Sequence, residues 1–248
     1  MSQFDPHLDQ TGHRLWPLPE RPWVMTQSWH DLLFAHWPVD SRLLRPKVPA
    51  AFDVNTYDGS AWIGVVPFTM SNVAPRGAPS LPWLSAFPEL NVRTYVSARD
   101  GKPGVYFFSL DAARWLAVIG ARAAFGLPYF PATMRAVRHD TAVEYESQRW
   151  RSEAAFRARY EPAGPRFTPA RGSLEYFLTE RYCLYHIDPL GRPSRLEIHH
   201  GPWVLQTAQA SIAVNRMTEP IGVALVGAPL LHFSARQDMV GWLPEVLR

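Results

Sequence analysis

Proline and glycine interrupt this chain so often that long helices have little room. Of its 248 residues, 24 are proline and 15 glycine, scattered between short apolar runs instead of gathered in one linker. Proline inside a helix removes a hydrogen bond and clashes with the preceding turn, whereas between strands it acts as punctuation. A mainly β fold follows. Residues 61–70 read as a strand after the Tyr57-Asp58-Gly59-Ser60 turn. Strands at 90–97 and 104–110 flank Arg99-Asp100-Gly101-Lys102-Pro103, which has hairpin-turn chemistry. A second hairpin is expected over 133–147, with further strands at 154–160, 175–187, 194–200 and after Val204. The clearest helix spans 111–125, with Asp111 at its N-cap, Gly126 at its end and Pro128 beyond. Only Arg114 and Arg122 are strongly polar within it, so it should be buried. A shorter helix fits 40–46. Glu161–Gly172, with three prolines and two glycines, is the linker candidate and is read as a long loop inside one domain. The chain divides into an N-terminal extension over 1–22 and a single domain over 23–248.

Hydrophobic residues at 47% and charged ones at 19% exclude a disordered chain. The net charge of +3 is a weak field for a nucleic-acid partner. Cys183 is the only cysteine, so no internal disulfide forms. The first twenty residues lack the apolar core of a signal peptide, and no apolar run approaches the length of a membrane helix. A cytoplasmic protein with no membrane partner is expected.

Familiar nucleotide, zinc-protease and nucleophile-elbow motifs are absent. His199-His200 invites a metal, but neighbours on a strand point to opposite faces and cannot clasp one ion unaided. No metal or cofactor is expected. Residues 149–171 hold Arg149, Arg151, Arg157, Arg159, Arg166 and Arg171 against Glu153 and Glu161, with aromatic residues between them. That pattern suits either a solvated sheet face or an interaction surface. Glu89, Asn91, Arg93 and Tyr95 fall on one face of their strand, and Leu90, Val92, Thr94 and Val96 on the other. The polar face is either solvated or lines a cavity.

Five ordered segments carry a resemblance: Trp29–Val39, Phe87–Val96, Gly126–Tyr129, Phe177–Tyr182 and His200–Trp203. Together they resemble the YqjF-like domain-of-unknown-function family 2071, over nearly the whole chain from Trp23. That family in turn resembles the acetoacetate decarboxylase-like proteins, which implies a cone-like antiparallel β-barrel with flanking strands and helices. In acetoacetate decarboxylase two lysines follow a Gly-x-Pro turn after a helix, one forming a Schiff base and the other depressing its pKa. Here Gly126-Leu127-Pro128 is followed by Tyr129 and Phe130. The chain's only lysines are Lys47, beside prolines, and Lys102, at a hairpin tip. Schiff-base decarboxylation is therefore not expected.

The resemblance implies that Glu89 matches an active-site glutamate and places His30 where a substrate-side arginine would stand. The resulting expectation is an internal pocket for a small anionic molecule. Glu89 and Tyr129 are its acid/base pair, with His30, Arg93, Arg114 and Arg122 as ligand-binding residues. A lyase, isomerase or hydratase acting on a small carboxylate is one version, and a non-catalytic carrier or sensor is another. An interaction module using the 149–171 surface is the alternative from a different class. A homo-oligomer is left open.

Overall fold

Alternating apolar residues within runs bounded by proline and glycine become strands because each strand can bury one face while pairing its backbone. The computed structural model describes residues 4–78, 86–114 and 126–247. In chain order its strands are β1 (Met25–Val39), β2 (Asp53–Val54), β3 (Ala61–Pro75), β4 (Phe87–Ser97) and β5 (Pro103–Ala112). They continue with β6 (Tyr129–His139), β7 (Ala142–Arg149), β8 (Ala155–Phe167), β9 (Cys183–Ile187) and β10 (Pro193–His200). The last are β11 (Leu205–Asn215), β12 (Leu230–Gly241) and β13 (Glu245–Val246). Two short α-helices are described, α1 (Ser41–Leu44) and α2 (Leu174–Thr179).

Pairing is antiparallel except where β5 meets β6 and β9. Following the pairs from β1 through β3, β4, β5, β9, β10 and β12 leads back to β1 and closes a ring. Of the other strands, β6, β7, β8 and β11 bridge from β5 to β12 across the outside of β1, β3 and β4, while the short β2 pairs with β4 and β13 with β10. Strands β1, β3 and β4 are therefore covered on both faces. On one side Leu90, Val92, Ile63 and Val65 pack against Tyr145 and Phe156 in a filled core. The other side faces the interior of the ring.

The structure corrects several expectations. Asp111 is not a helix cap. It lies in β5, opposite Leu90 of β4, and its buried carboxylate meets Arg149 at 2.7 Å. Residues 115–125 of the expected helix lie outside the described residues. Gly126, just beyond, has φ +66°, a left-handed conformation that glycine adopts without strain. The expected strand at 175–187 begins instead as α2, because Ser173 caps it by accepting from the Tyr176 N–H. The expected loop at Glu161–Gly172 is largely strand. β8 continues to Phe167 and pairs with β11 through a register shift that accommodates its prolines. β1 itself is missed by pattern because Asp31, at φ +52°, breaks the alternation between His30 and Ala35.

Candidate functional site

The ring encloses a cavity of about 680 Å³, within the range of small-molecule sites. Its wall is mainly apolar, with Phe68, Met70, Phe107 and Leu110 among the contributors. Polar groups concentrate on β4, where Glu89, Asn91 and Arg93 point inward at alternate positions. Register fixes this stripe. Phe68, Val66 and Gly64 of β3 stand opposite Glu89, Asn91 and Arg93 in turn. Behind the sheet the Tyr145 hydroxyl donates to the Glu89 carbonyl at 2.7 Å, which holds the backbone there. Tyr95, the fourth residue of the expected polar face, is buried in the ring's core and its hydroxyl lies 2.6 Å from His36 Nε2.

The Glu89 carboxyl is only 3% exposed. Burial pushes its pKa up to about 8, nearby Asp111 adds to the rise, and a hydrogen bond with Tyr129 opposes it. At neutral pH the group is therefore largely protonated, and a neutral carboxyl can donate a proton. Its Oε2 has no partner among the described residues, nor has the Oδ1 of Asn91. Tyr129, the first residue of β6, lines the same cavity, and burial together with Glu89 holds its phenol well above the ordinary value. The pair is a protonated acid beside a protonated phenol, enclosed in apolar surroundings.

At the other end of the stripe are two cations. Arg93 donates from Nη2 to the Leu178 carbonyl at 3.1 Å and rests near the rings of Phe34 and Tyr95. Arg181, 8% exposed, donates from Nε to the Phe177 carbonyl at 2.7 Å and lies over the Phe177 ring at 4.5 Å. Both line the cavity, and among the described residues neither forms an ion pair with a carboxylate. The residues outside that set contain no aspartate or glutamate side chain. Burial lowers the Arg181 pKa to about 10, so it stays charged at neutral pH. Buried cations resting on rings and carbonyls leave their remaining N–H donors for an anion.

The structure brings three of the expected site residues together. Glu89, Arg93 and Tyr129 line one cavity. His30 does not, because Trp29 takes the inward position and His30 points away, its Nε2 lying 2.7 Å from the Ser71 hydroxyl. Arg114 is exposed and lies outside the lining, and Arg122 falls outside the described residues. Arg181 and Asn91 were not among the expected ligand-binding residues. Arg181 gives no clear signal, because Glu180 directly before it makes the two read as an ordinary local charge pair. His199 and His200 face opposite ways. His200 lines the cavity, while His199 meets the N-terminal segment through Arg14 Nη1 at 3.3 Å and the His7 carbonyl at 2.9 Å. Among the described residues no three His, Cys, Asp or Glu side chains gather to hold a metal ion.

In the 149–171 segment Arg151, Arg157, Arg159, Arg166 and Arg171 are exposed. Arg149 is buried against Asp111, and Phe156 and Tyr160 are core residues. The lysines lie away from the cavity. Lys47 is exposed, and Lys102 is buried with Nζ 2.5 Å from Glu197. The tip of the hairpin is thus an ion pair, not a free amine. No helix among the described residues is long and apolar enough to cross a membrane.

The DUF2071 family, described as an uncharacterized conserved protein, matches residues 26–238. Uncharacterized protein YqjF of Bacillus subtilis (strain 168) is 48% identical over 227 residues, covering 91% of this chain and 93% of that protein. Similar solved structures include the enduracididine biosynthesis enzyme MppR with HEPES bound. It has a TM-score of 0.65 at 11% identity over 92% of this chain and 88% of that one. The same enzyme complexed with pyruvate gives 0.63 at 10% over 92% and 91%. Acetoacetate decarboxylase from Legionella pneumophila gives 0.64 at 10% over 100% and 98%. At such identities the likeness is one of fold.

Proposed function

Because the chain belongs to the DUF2071 family of uncharacterized conserved proteins and has the acetoacetate decarboxylase-like fold, we propose that its cavity binds an organic carboxylate and does acid/base chemistry on it. The observation that carries this reading is the pair of cavity-lining arginines, Arg93 and Arg181, with no carboxylate of the described residues to neutralise them. A bound carboxylate neutralises them and accepts N–H donors that the protein leaves free. The pyruvate complex of MppR supports the reading, since that related fold holds a small carboxylate.

The chemistry follows from the other end of the stripe. Glu89, protonated at neutral pH, donates to a ligand oxygen, and the resulting carboxylate takes a proton back from an adjacent carbon. Tyr129 hydrogen-bonds the carboxyl group and steadies both states. This is the machinery of a lyase, isomerase or hydratase. A Schiff base plays no part in it, because no lysine lines the cavity.

Two measurements on one protein test the reading. Levulinate and octanoate should raise the melting temperature of the wild type and fail to do so for Arg181→Met. In deuterium oxide, levulinate carbons beside the ketone should exchange faster with the wild type than with Glu89→Gln. A melting temperature that rises equally in the arginine variant removes the anion site, and equal exchange rates remove the acid/base role.

A further inference from the structure

The cavity is far larger, and far more one-sided, than a small keto acid requires. Glu89 and the charged Arg93 and Arg181 cluster toward one end, and nearer the other the polar side chains are the neutral Gln27 and His200. On β3 the lining runs from Val66, beside the β4 stripe, to Pro75, which is roughly 30 Å of strand at the rise of a β-strand. On β1 it runs in parallel from Phe34 to Met25, which pairs with Pro75. Beyond Glu89, toward Pro75, these two strands contribute Met70, Val73, Ala74 and Met25, with Gln27 among them accepting from the Trp29 indole N–H. The far end is also where the wall reaches solvent: Pro75 is exposed, and Leu243 is 53% exposed. Arg181 and Tyr95, by contrast, are buried. A small keto acid bound at the arginines leaves the remaining apolar wall against water, which is unfavourable.

The geometry points to an amphipathic monocarboxylate with a long hydrocarbon body, an acyl-chain acid, as the occupant. Its carboxylate would lie between Arg93 and Arg181 and its tail along β1 and β3 toward Met25 and Pro75. This rests on the carboxylate reading above and adds the tail. Glu89 and Tyr129 then meet the chain several atoms from the carboxylate, since Glu89 stands four residues from Arg93 on an extended strand. The carbon they act on lies in the body of the chain, away from the α position.

A homologous series on the wild-type protein tests the tail without any variant. Dissociation constants are measured by calorimetry for pyruvate, octanoate and laurate, with dodecanol as the uncharged match of laurate. Each added methylene in contact with the wall should tighten binding roughly two- to fourfold, so laurate should bind at least about tenfold tighter than octanoate. Dodecanol should bind at least about tenfold more weakly than laurate. Ala74→Trp, which fills the far end, should lose laurate affinity and keep that for octanoate. If octanoate and laurate bind alike, or pyruvate binds as well as either, the acyl-chain inference is overturned and the carboxylate reading stands. If dodecanol matches laurate, or no acid binds, the carboxylate reading is overturned along with it.

Discussion

The two faces of β4 carry one alternation and reach opposite ends. Leu90 and Val92 look toward Tyr145 and Phe156, and that side is filled. Glu89, Asn91 and Arg93 look toward the ring's interior, and that side is hollow. The difference lies in what the facing strands supply. β7 and β8 bring fully buried aromatic rings, including Tyr145, Phe156 and Tyr160, which occupy the space between the layers. β9 and β10 bring Leu184, Leu196 and Ile198, which line a ring without reaching its middle. The hollow side keeps groups that folding alone does not need: a buried acid and two cations without carboxylate partners among the described residues. Such groups cost stability and are retained where a ligand uses them.

The largest effect should separate the two sides directly. Phe156→Ala empties part of the filled core and should cost about 3–5 kcal/mol of unfolding free energy. Phe107→Ala, on the cavity wall, enlarges a space already present and should cost less than about half as much. Urea denaturation of both variants checks this, and equal losses would erase the distinction between the faces.

Next in size is the buried acid. The folded-state pKa of Glu89 is about 8, above its ordinary value of 4.5, so the folded protein binds this proton more tightly than the unfolded chain. The stability Glu89 contributes is fully present below pH 4.5 and is lost as pH rises through 8. Glu89→Gln has no such loss. Its stability relative to wild type should grow between pH 5 and pH 9 by an amount on the order of a few kcal/mol. A pH-independent difference would place the carboxyl in a polar setting instead.

A smaller effect, of opposite sign, belongs to the histidines on β10. Burial holds His199 at about 4 and His200 at about 3, below the ordinary 6.5. The unfolded chain binds these protons first, so their contribution is complete above pH 6.5 and fades as pH falls toward 4. Acid denaturation of His199→Gln should show a shallower loss over that window than the wild type. Smallest of all is Arg181→Met, which should alter the stability of the ligand-free protein by no more than about 1 kcal/mol. It removes a desolvated charge together with one hydrogen bond. A loss of several kcal/mol would make Arg181 a structural residue.

The same contrast explains what the sequence discloses. The β4 stripe is legible because alternation is local, and the β4–β5 and β6–β7 hairpins because their turn residues are. Asp111 misleads because an aspartate before an apolar run looks like a cap, whereas its partner Arg149 is distant in sequence and joins it only when β5 and β7 are assembled. His30 enters only through the family resemblance, which does not fix whether it or Trp29 turns inward where β1 is bulged near Asp31. Arg181 is hidden for another reason. An arginine directly after Glu180 reads as half of a local charge pair until the cavity beside it is known.

The central claim is that the hollow side exists to hold an organic anion against Arg93 and Arg181. The most direct test follows the guanidinium NMR signals of these two side chains, assigned from Arg93→Met and Arg181→Met, while laurate is titrated into the wild type at neutral pH. The account predicts that both signals shift and saturate together with a single dissociation constant. Signals that stay in place while resonances elsewhere in the protein respond to laurate would contradict it.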